Sequence, residues 1–227
     1  MAKRKYLIIF YISLMLSACE AHIKCKVINE DYNSLLNNLN TKSDTLLFIA
    51  KLNKVTEMEP SCMRAYHLMG FLEIGLGNFK KAKSVFKQSL QYDSKSIYSL
   101  YYTAYLYNIE GDNLKAFSYI DLAMKSKFID GAPIDYDNFF NKNFDIAFSE
   151  LLFLRGVILF DLSNFEKAKK DFLLVEKRGY NLNETYAYIA NTYFSLNQKD
   201  SACYFYEKYT PAENIIINKN LSNVCKK

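Results

Sequence analysis

Residues 63–96 read MRAYHLMGFLEIGLGNFKKAKSVFKQSLQYDSKS, and the pattern of this stretch recurs three more times along the chain. Its twentieth position is Ala82, and the equivalent alanines are Ala116, Ala168 and Ala202. Their spacings are 34, 52 and 34 residues, so a period of 34 is interrupted once by 18 additional residues. A fixed period of this length is typical of stacked helical hairpins.

Four other positions of the repeat keep their character. The fourth is bulky, the eighth is very small, the fifteenth suits a tight turn, and the twenty-fourth is bulky again. Small residues at positions eight and twenty let two antiparallel helices approach closely, while the bulky residues fill the gaps beside them. The fourth position holds Tyr66, Leu100, Leu152 and Tyr186, and the eighth holds Gly70, Ala104, Gly156 and Ala190. The fifteenth position holds Gly77, Gly111, Ser163 and Asn197, and the twenty-fourth holds Phe86, Ile120, Phe172 and Tyr206.

This pattern resembles the tetratricopeptide repeat, in which an aromatic residue, Leu-Gly, Ala, Phe and a closing Pro follow one another. The resemblance implies an all-α fold, a right-handed superhelical solenoid of antiparallel helix pairs. Repeats are predicted at 63–96, 97–130, 149–182 and 183–210, after a degenerate repeat at 29–62 and before a capping segment at 211–227. An insert at about 128–148 is predicted to fold over the mouth of the groove, to form a partner surface or to bridge a shifted helix pair.

The first residues are typical of a bacterial export signal. Three basic residues precede an apolar stretch at 6–15, and Leu-Ser-Ala-Cys at 16–19 resembles the bacterial lipobox. The resemblance implies a signal peptide at 1–18, a lipid on Cys19 and a tether at 19–28, although an ordinary secretory signal is the alternative. We therefore expect an exported protein that is lipid-anchored at the bacterial cell envelope, with the outer membrane favoured.

Charge and motif content exclude several classes of function. The formal charge of +5 falls to +2 without Lys3, Arg4 and Lys5 of the predicted signal. Lysines at 80, 81, 83, 87, 167, 169 and 170 are interpreted as solvated faces of second helices, and a nucleic-acid partner is not expected. The chain lacks metal-binding, nucleophile-elbow and phosphate-loop motifs, so we predict no metal, no cofactor and no enzymatic activity.

Four cysteines follow Cys19, and four cysteines allow three pairings. In the repeat frame Cys25 and Cys62 bracket the first hairpin, while Cys203 lies in the last second helix and Cys225 in the tail. The frame therefore favours Cys25–Cys62 and Cys203–Cys225 as disulfides that staple the two ends of the stack. Free cysteines are the alternative.

In the tetratricopeptide family, residues at regular positions of each first helix line a concave binding groove. The resemblance carries this role to Arg64, His67, Phe71, Tyr98, Tyr101, Tyr105, Asn108, Phe153, Phe160, Asn191 and Phe194. Aromatic side chains offer large contact areas at low entropic cost. Some of them could instead pack against neighbouring helices.

These features predict a membrane-anchored adaptor or scaffold that binds a protein or peptide partner in the groove. Two alternatives stay open: a glycan- or small-ligand-binding lipoprotein of an uptake system, and an immunity-type lipoprotein that neutralises a toxin.

Overall fold

The computed structural model describes Cys25 and residues 41–126, 144–210 and 217–225. The predicted signal peptide, Cys19, most of the tether, residues 29–40 and most of the insert lie outside these residues. Every regular element in the described part of the chain is an α-helix, which confirms the predicted all-α fold.

Eight of the helices form the four hairpins that the repeats predict, α2 with α3, α4 with α5, α6 with α7 and α8 with α9. The described helices are α1 (Lys42–Met58), α2 (Met63–Gly75), α3 (Phe79–Tyr92), α4 (Ile97–Ile109), α5 (Asn113–Ser126), α6 (Phe144–Asp161), α7 (Phe165–Lys177), α8 (Leu182–Ser195), α9 (Lys199–Lys208) and α10 (Lys219–Cys225). The chain divides into an N-terminal unit, Met1–Thr103, and a C-terminal unit, Ala104–Lys227, with the boundary inside α4.

The fifteenth position of each repeat makes the turn between the two helices of a hairpin. The backbone there is left-handed, with φ of 75° at Gly77, 79° at Gly111 and 58° at both Ser163 and Asn197. Glycine adopts this conformation freely, and asparagine is among the side-chain-bearing residues that tolerate it best. The turn predicted from the residue types is confirmed at all four sites.

The small residues of the repeat lie where the paired helices touch. All four alanines at position twenty are fully buried. At position eight, a Cβ on Gly70 would lie 2.3 Å from Cζ of Phe86, and one on Gly156 would lie 2.6 Å from Cε1 of Phe172. The ring at position twenty-four therefore occupies the space that a side chain at position eight would need.

In the N-terminal unit, α1 begins with a reciprocal cap. The backbone N–H of Asp44 donates to Oγ1 of Thr41 at 3.1 Å, and the N–H of Thr41 donates to the Asp44 carboxylate at 3.0 Å. Two unpaired donors of the first turn are satisfied in this way. Behind this start, α1 buries Leu52 and Val55 in a core that also contains the Cys25–Cys62 disulfide.

In the C-terminal unit, α6 begins at Phe144, five residues before the predicted repeat boundary at Ser149. Residues 144–148 of the predicted insert are therefore helical. The guanidinium of Arg178 lies 5.0 Å from the ring centre of Phe148, which helps to fix this added turn.

A buried ion pair joins the two helices of the third hairpin. Nε and Nη2 of Arg155 donate to the two carboxylate oxygens of Asp171 at 2.7 and 2.6 Å. The carboxyl of Asp171 is buried, so this two-point pairing supplies the partner that a buried charge requires.

Both disulfides link the cysteines that the repeat frame favours. Cys25 and Cys62 have Cα atoms 5.9 Å apart, and Cys203 and Cys225 have Cα atoms 5.2 Å apart. The second bond ties α10 to α9, where Leu221 of α10 is fully buried in the core of the C-terminal unit. Among the described residues, none of the helices combines the length and the apolar character needed to span a bilayer.

Candidate partner-binding surface

The candidate residues of α2 share one line along the helix. Arg64, His67 and Phe71 are spaced three and four residues apart, which places them on one face. Phe71 is 38% exposed, whereas Arg64 and His67 are half-buried. An exposed aromatic ring next to a basic residue suits contact with an apolar or aromatic side chain.

His67 binds the following hairpin. Its Nε2 lies 3.2 Å from Oγ of Ser96 and 3.1 Å from Oγ of Ser99, and its ring stacks on Tyr98 with centroids 4.4 Å apart. Ser89 extends this network, since its hydroxyl lies 2.6 Å from Oγ of Ser99. His67 was predicted to line the groove, and the structure shows that much of its hydrogen-bonding capacity is used within the fold.

The surroundings of His67 keep its imidazole neutral. Burial, with a smaller contribution from the positive charge of Arg64, lowers the pKa of His67 from 6.5 to about 3. At Nε2 a neutral imidazole can either accept a hydrogen bond from a serine hydroxyl or donate one to it, whereas an imidazolium can only donate.

Tyr98 was also predicted to line the groove, but only 7% of its surface is exposed. Its ring lies between His67 and Tyr102, at 4.4 and 4.7 Å between centroids, and 6.1 Å from Phe86. Tyr98, at the second position of this repeat, is buried because the rings of His67 and Phe86 in the preceding hairpin pack against it. Tyr101 is half-buried and meets Tyr102 edge-on at 5.2 Å, so it keeps part of its surface for a partner.

In the C-terminal unit, Asn108 connects α4 with α6. Its Nδ2 donates to Oδ2 of Asp161 at 2.7 Å and to Oδ1 of Asn113 at 3.0 Å. Tyr105, one turn earlier on α4, is half-buried. The asparagine therefore positions the helix end, while the tyrosine retains some exposed area.

Phe153 and Phe160 lie on α6 around a residue that the sequence did not single out, Tyr188 of α8. The ring of Tyr188 meets Phe153 edge-on at 5.6 Å and Phe160 at 6.1 Å, and it stacks on Phe172 at 5.1 Å. Burial, together with Glu184 and Asp161, raises the pKa of Tyr188 to about 12, so its hydroxyl stays protonated. Its position in the repeat carried no family signal, and only the high aromatic content of α8 pointed to it.

The chain's own C-terminal segment contacts part of the surface of α8. Oδ1 of Asn191 accepts a hydrogen bond from the backbone N–H of Asn218 at 2.9 Å, and Asn191 is only 8% exposed. Asn183 holds the backbone of Thr210 at both its N–H and its C=O, at 2.7 and 2.9 Å. Asn191 was predicted to face a partner, and the structure assigns it to the tail. Phe194 is half-buried and packs in the same core.

The described side chains form no group of three or more histidine, cysteine, aspartate or glutamate residues placed to hold a metal ion. Their arrangement offers aromatic area, amides and a neutral histidine, which are groups suited to contact.

Sequence and structure comparisons place these hairpins in a known fold. Residues 64–96 match the family model of the tetratricopeptide repeat. This hairpin is therefore similar to a tetratricopeptide repeat (TPR), and the described helix pairs have a TPR-like fold. No curated protein sequence matches it.

Several solved structures share this TPR fold. MamA from Desulfovibrio magneticus RS-1 is similar with a TM-score of 0.60 and 11% identity, over 85% of this chain and 92% of that one. PilF of Pseudomonas aeruginosa gives 0.58 and 16%, over 84% and 75%. YrrB, described as a TPR protein with an unusual peptide-binding site, gives 0.59 and 17%, over 84% and 89%. At these identities the likeness establishes the fold.

Proposed function

We propose that this TPR-like protein is a lipid-anchored adaptor that binds a protein or peptide partner at the bacterial cell envelope. The observation that carries the proposal is the face of α2 predicted to line the groove, where Phe71 is exposed on the same line as Arg64. TPR folds serve as scaffolds for protein interaction, and a rigid face loses little free energy to ordering when it binds. Half-buried Tyr101 adds contact area within the same unit.

The positions of the lipobox-like residues and of Cys25 in the sequence support the proposed membrane anchor. The lipobox-like residues 16–19 stand directly before the tether, and Cys25 is bonded to Cys62 at the start of α2. A lipid on Cys19 would confine the binding face to a membrane surface and raise its effective concentration there. Each buried methylene contributes about 0.8 kcal/mol, so several acyl chains hold a protein durably.

Photo-crosslinking from intact cells tests the proposal. A photoreactive residue at Phe71 should give a discrete protein adduct, whereas the same residue at exposed Glu207 on α9 should not give that adduct. Mass spectrometry then identifies the partner. An adduct with glycan alone, or no difference between the two sites, would contradict the adaptor function.

Substitutions tested with the purified partner would measure how much individual side chains contribute to the affinity. Phe71→Ala should weaken binding by roughly tenfold, because aromatic anchors at interfaces contribute more than about 1 kcal/mol. Leu114→Ala is the matched control, since Leu114 is 73% exposed and lies on a second helix. Equal losses in the two variants would move the binding site away from α2.

A further inference from the structure

The outward face of α3 is polar and basic between the two ends of the helix, where Phe79 and Tyr92 are exposed. The exposed residues between them are Lys80, Lys81, Ser84, Lys87, Gln88 and Gln91. The helix has four lysines and no acidic residue. Within the described part of the chain, Lys80, Lys81 and Lys87 make no ion pair.

The corresponding helix of the C-terminal unit, α7, is built differently. It also has four lysines, but Glu166, Asp171 and Glu176 are interleaved with them. Nζ of Lys169 lies 2.9 Å from the carboxylate of Glu166, Glu176 lies 3.8 Å from Nζ of Lys208, and Asp171 is bound by an arginine. Lys167 and Lys170 therefore share their helix with three acidic residues, whereas Lys80, Lys81 and Lys87 share theirs with none.

We propose that the outward face of α3 docks on the anionic headgroups of the membrane that carries the anchor. The inference rests on the proposed lipid at Cys19. Cys25 follows Cys19 by only six residues and is bonded to Cys62 at the start of α2. Six residues reach at most about 20 Å, so a lipid on Cys19 holds the N-terminal unit within roughly one helix length of the bilayer.

The composition of the face favours lipid headgroups over a protein. The cores of protein interfaces are poor in lysine, whereas the centre of this face carries Lys80, Lys81 and Lys87 and no apolar side chain, its exposed aromatic residues standing at the ends of the helix. A lysine near an anionic bilayer contributes about 1 kcal/mol, which is roughly a fivefold gain in membrane association per residue. Lys80, Lys81 and Lys87 together therefore favour a docked orientation strongly.

Amine labelling of the mature, lipidated protein in vesicles tests the docking. We expect Lys80, Lys81 and Lys87 to be acylated at least roughly fivefold more slowly in phosphatidylglycerol–phosphatidylethanolamine vesicles than in phosphatidylcholine vesicles. High salt should abolish the difference, because it screens exposed charges. Lys167 and Lys170, on α7 of the same molecule, are internal controls whose labelling should not change.

Charge reversal sharpens the test. In the K80E/K87E variant, Lys81 should lose its protection, whereas in the matched K167E/K170E variant Lys81 should stay protected. Equal labelling of α3 in both kinds of vesicle, protection that ignores lipid charge, or equal protection of Lys167 and Lys170 would each overturn the docking.

Flotation with phosphatidylcholine vesicles separates this inference from the anchor itself. Protein that floats but shows unprotected α3 lysines keeps its anchor and lacks the docking face. Protein that does not float carries no lipid on Cys19, and both proposals then fail together.

Discussion

Glycine at position eight and phenylalanine at position twenty-four form a matched pair in two of the four repeats. Gly70 lies under Phe86 and Gly156 under Phe172. In the other two repeats an alanine at position eight accompanies Ile120 or Tyr206 at position twenty-four. The close approach of the helices therefore depends on the pair of residues at positions eight and twenty-four. We expect the effect of a substitution at one of these positions on stability to depend on the residue at the other.

Gly70→Ala should destabilise the protein by about 1–3 kcal/mol, because the new methyl group would overlap the ring of Phe86. Phe86→Leu in the same chain should recover part of that loss, which a double-mutant cycle in urea would measure. Gly75→Ala on the same helix is the control, since no atom lies within 4 Å of the added Cβ. Additive effects of Gly70→Ala and Phe86→Leu would contradict the pairing.

His67 should make stability depend on pH. Its pKa is 6.5 in the unfolded chain and about 3 in the folded protein, so the unfolded state binds more protons between these values. Stability is therefore full above about pH 6.5 and falls as the pH is lowered, by up to about 1.4 kcal/mol per pH unit.

Urea unfolding between about pH 7 and pH 5 would measure this slope in the wild type and in His67→Gln. The glutamine side chain does not titrate, and carboxylates and His22 contribute equally to both proteins. We expect the variant to lack the additional loss of stability at acidic pH. Parallel curves for the two proteins would show that His67 titrates normally in the fold.

At the scale of elements, the sequence predicted the hairpins and their turns because these depend on local residue types. The positive φ at Gly77 and Asn197 follows from residues that tolerate it. The start of α6 at Phe144 could not be predicted, since the repeat pattern carries no information about the insert before it. The burial of Tyr98 was missed for another reason: it is decided by side chains of the preceding hairpin.

The candidate surface was predicted less completely than the fold. The role of Asn191 depends on a contact with Asn218, which is 27 residues away and belongs to a segment without a repeat pattern. Asn183 was not singled out at all, although its amide binds both backbone groups of Thr210. Contacts of this kind follow from the path of the tail, which no local pattern specifies.

Asn183 should therefore control how firmly the start of the tail is held. Asn183→Ala removes two hydrogen bonds, each contributing about 0.5–1.5 kcal/mol, so the amide of Thr210 should exchange with solvent roughly tenfold faster or more. Asn183→Asp keeps the acceptor and should give an intermediate rate. Hydrogen exchange read by NMR would show this order, and equal rates in all three proteins would assign the tail's position to other contacts.

At the scale of the molecule, the two disulfides close loops at opposite ends of the described chain, over sequence separations of 37 and 22 residues. Loop-closure entropy assigns each a stabilisation of roughly 3–4 kcal/mol. Comparing urea unfolding of the paired serine variants Cys25→Ser/Cys62→Ser and Cys203→Ser/Cys225→Ser with the oxidised wild type would measure each value.

Mass spectrometry under denaturing, non-reducing conditions checks the pairing itself. The intact protein should gain four hydrogens on reduction, because two bonds are present. Alkylation of all four cysteines before reduction would contradict both bonds. If reduction left the stability unchanged, packing of the helices alone would stabilise the two ends of the described chain.

The glycine–phenylalanine pairs set a rule for how a gene of this kind can be rearranged. A crossover in the connection between two hairpins keeps each matched pair together, so the packing within a hairpin is preserved when whole hairpins are duplicated or exchanged. A crossover inside the turn of a hairpin could join a first helix with glycine at position eight to a second helix with isoleucine at position twenty-four, which would leave a void. It could also join a first helix with alanine at position eight to a second helix with phenylalanine at position twenty-four, and these two side chains would overlap. The complete hairpin is thus the unit that a rearrangement can move with its glycine–phenylalanine contact intact.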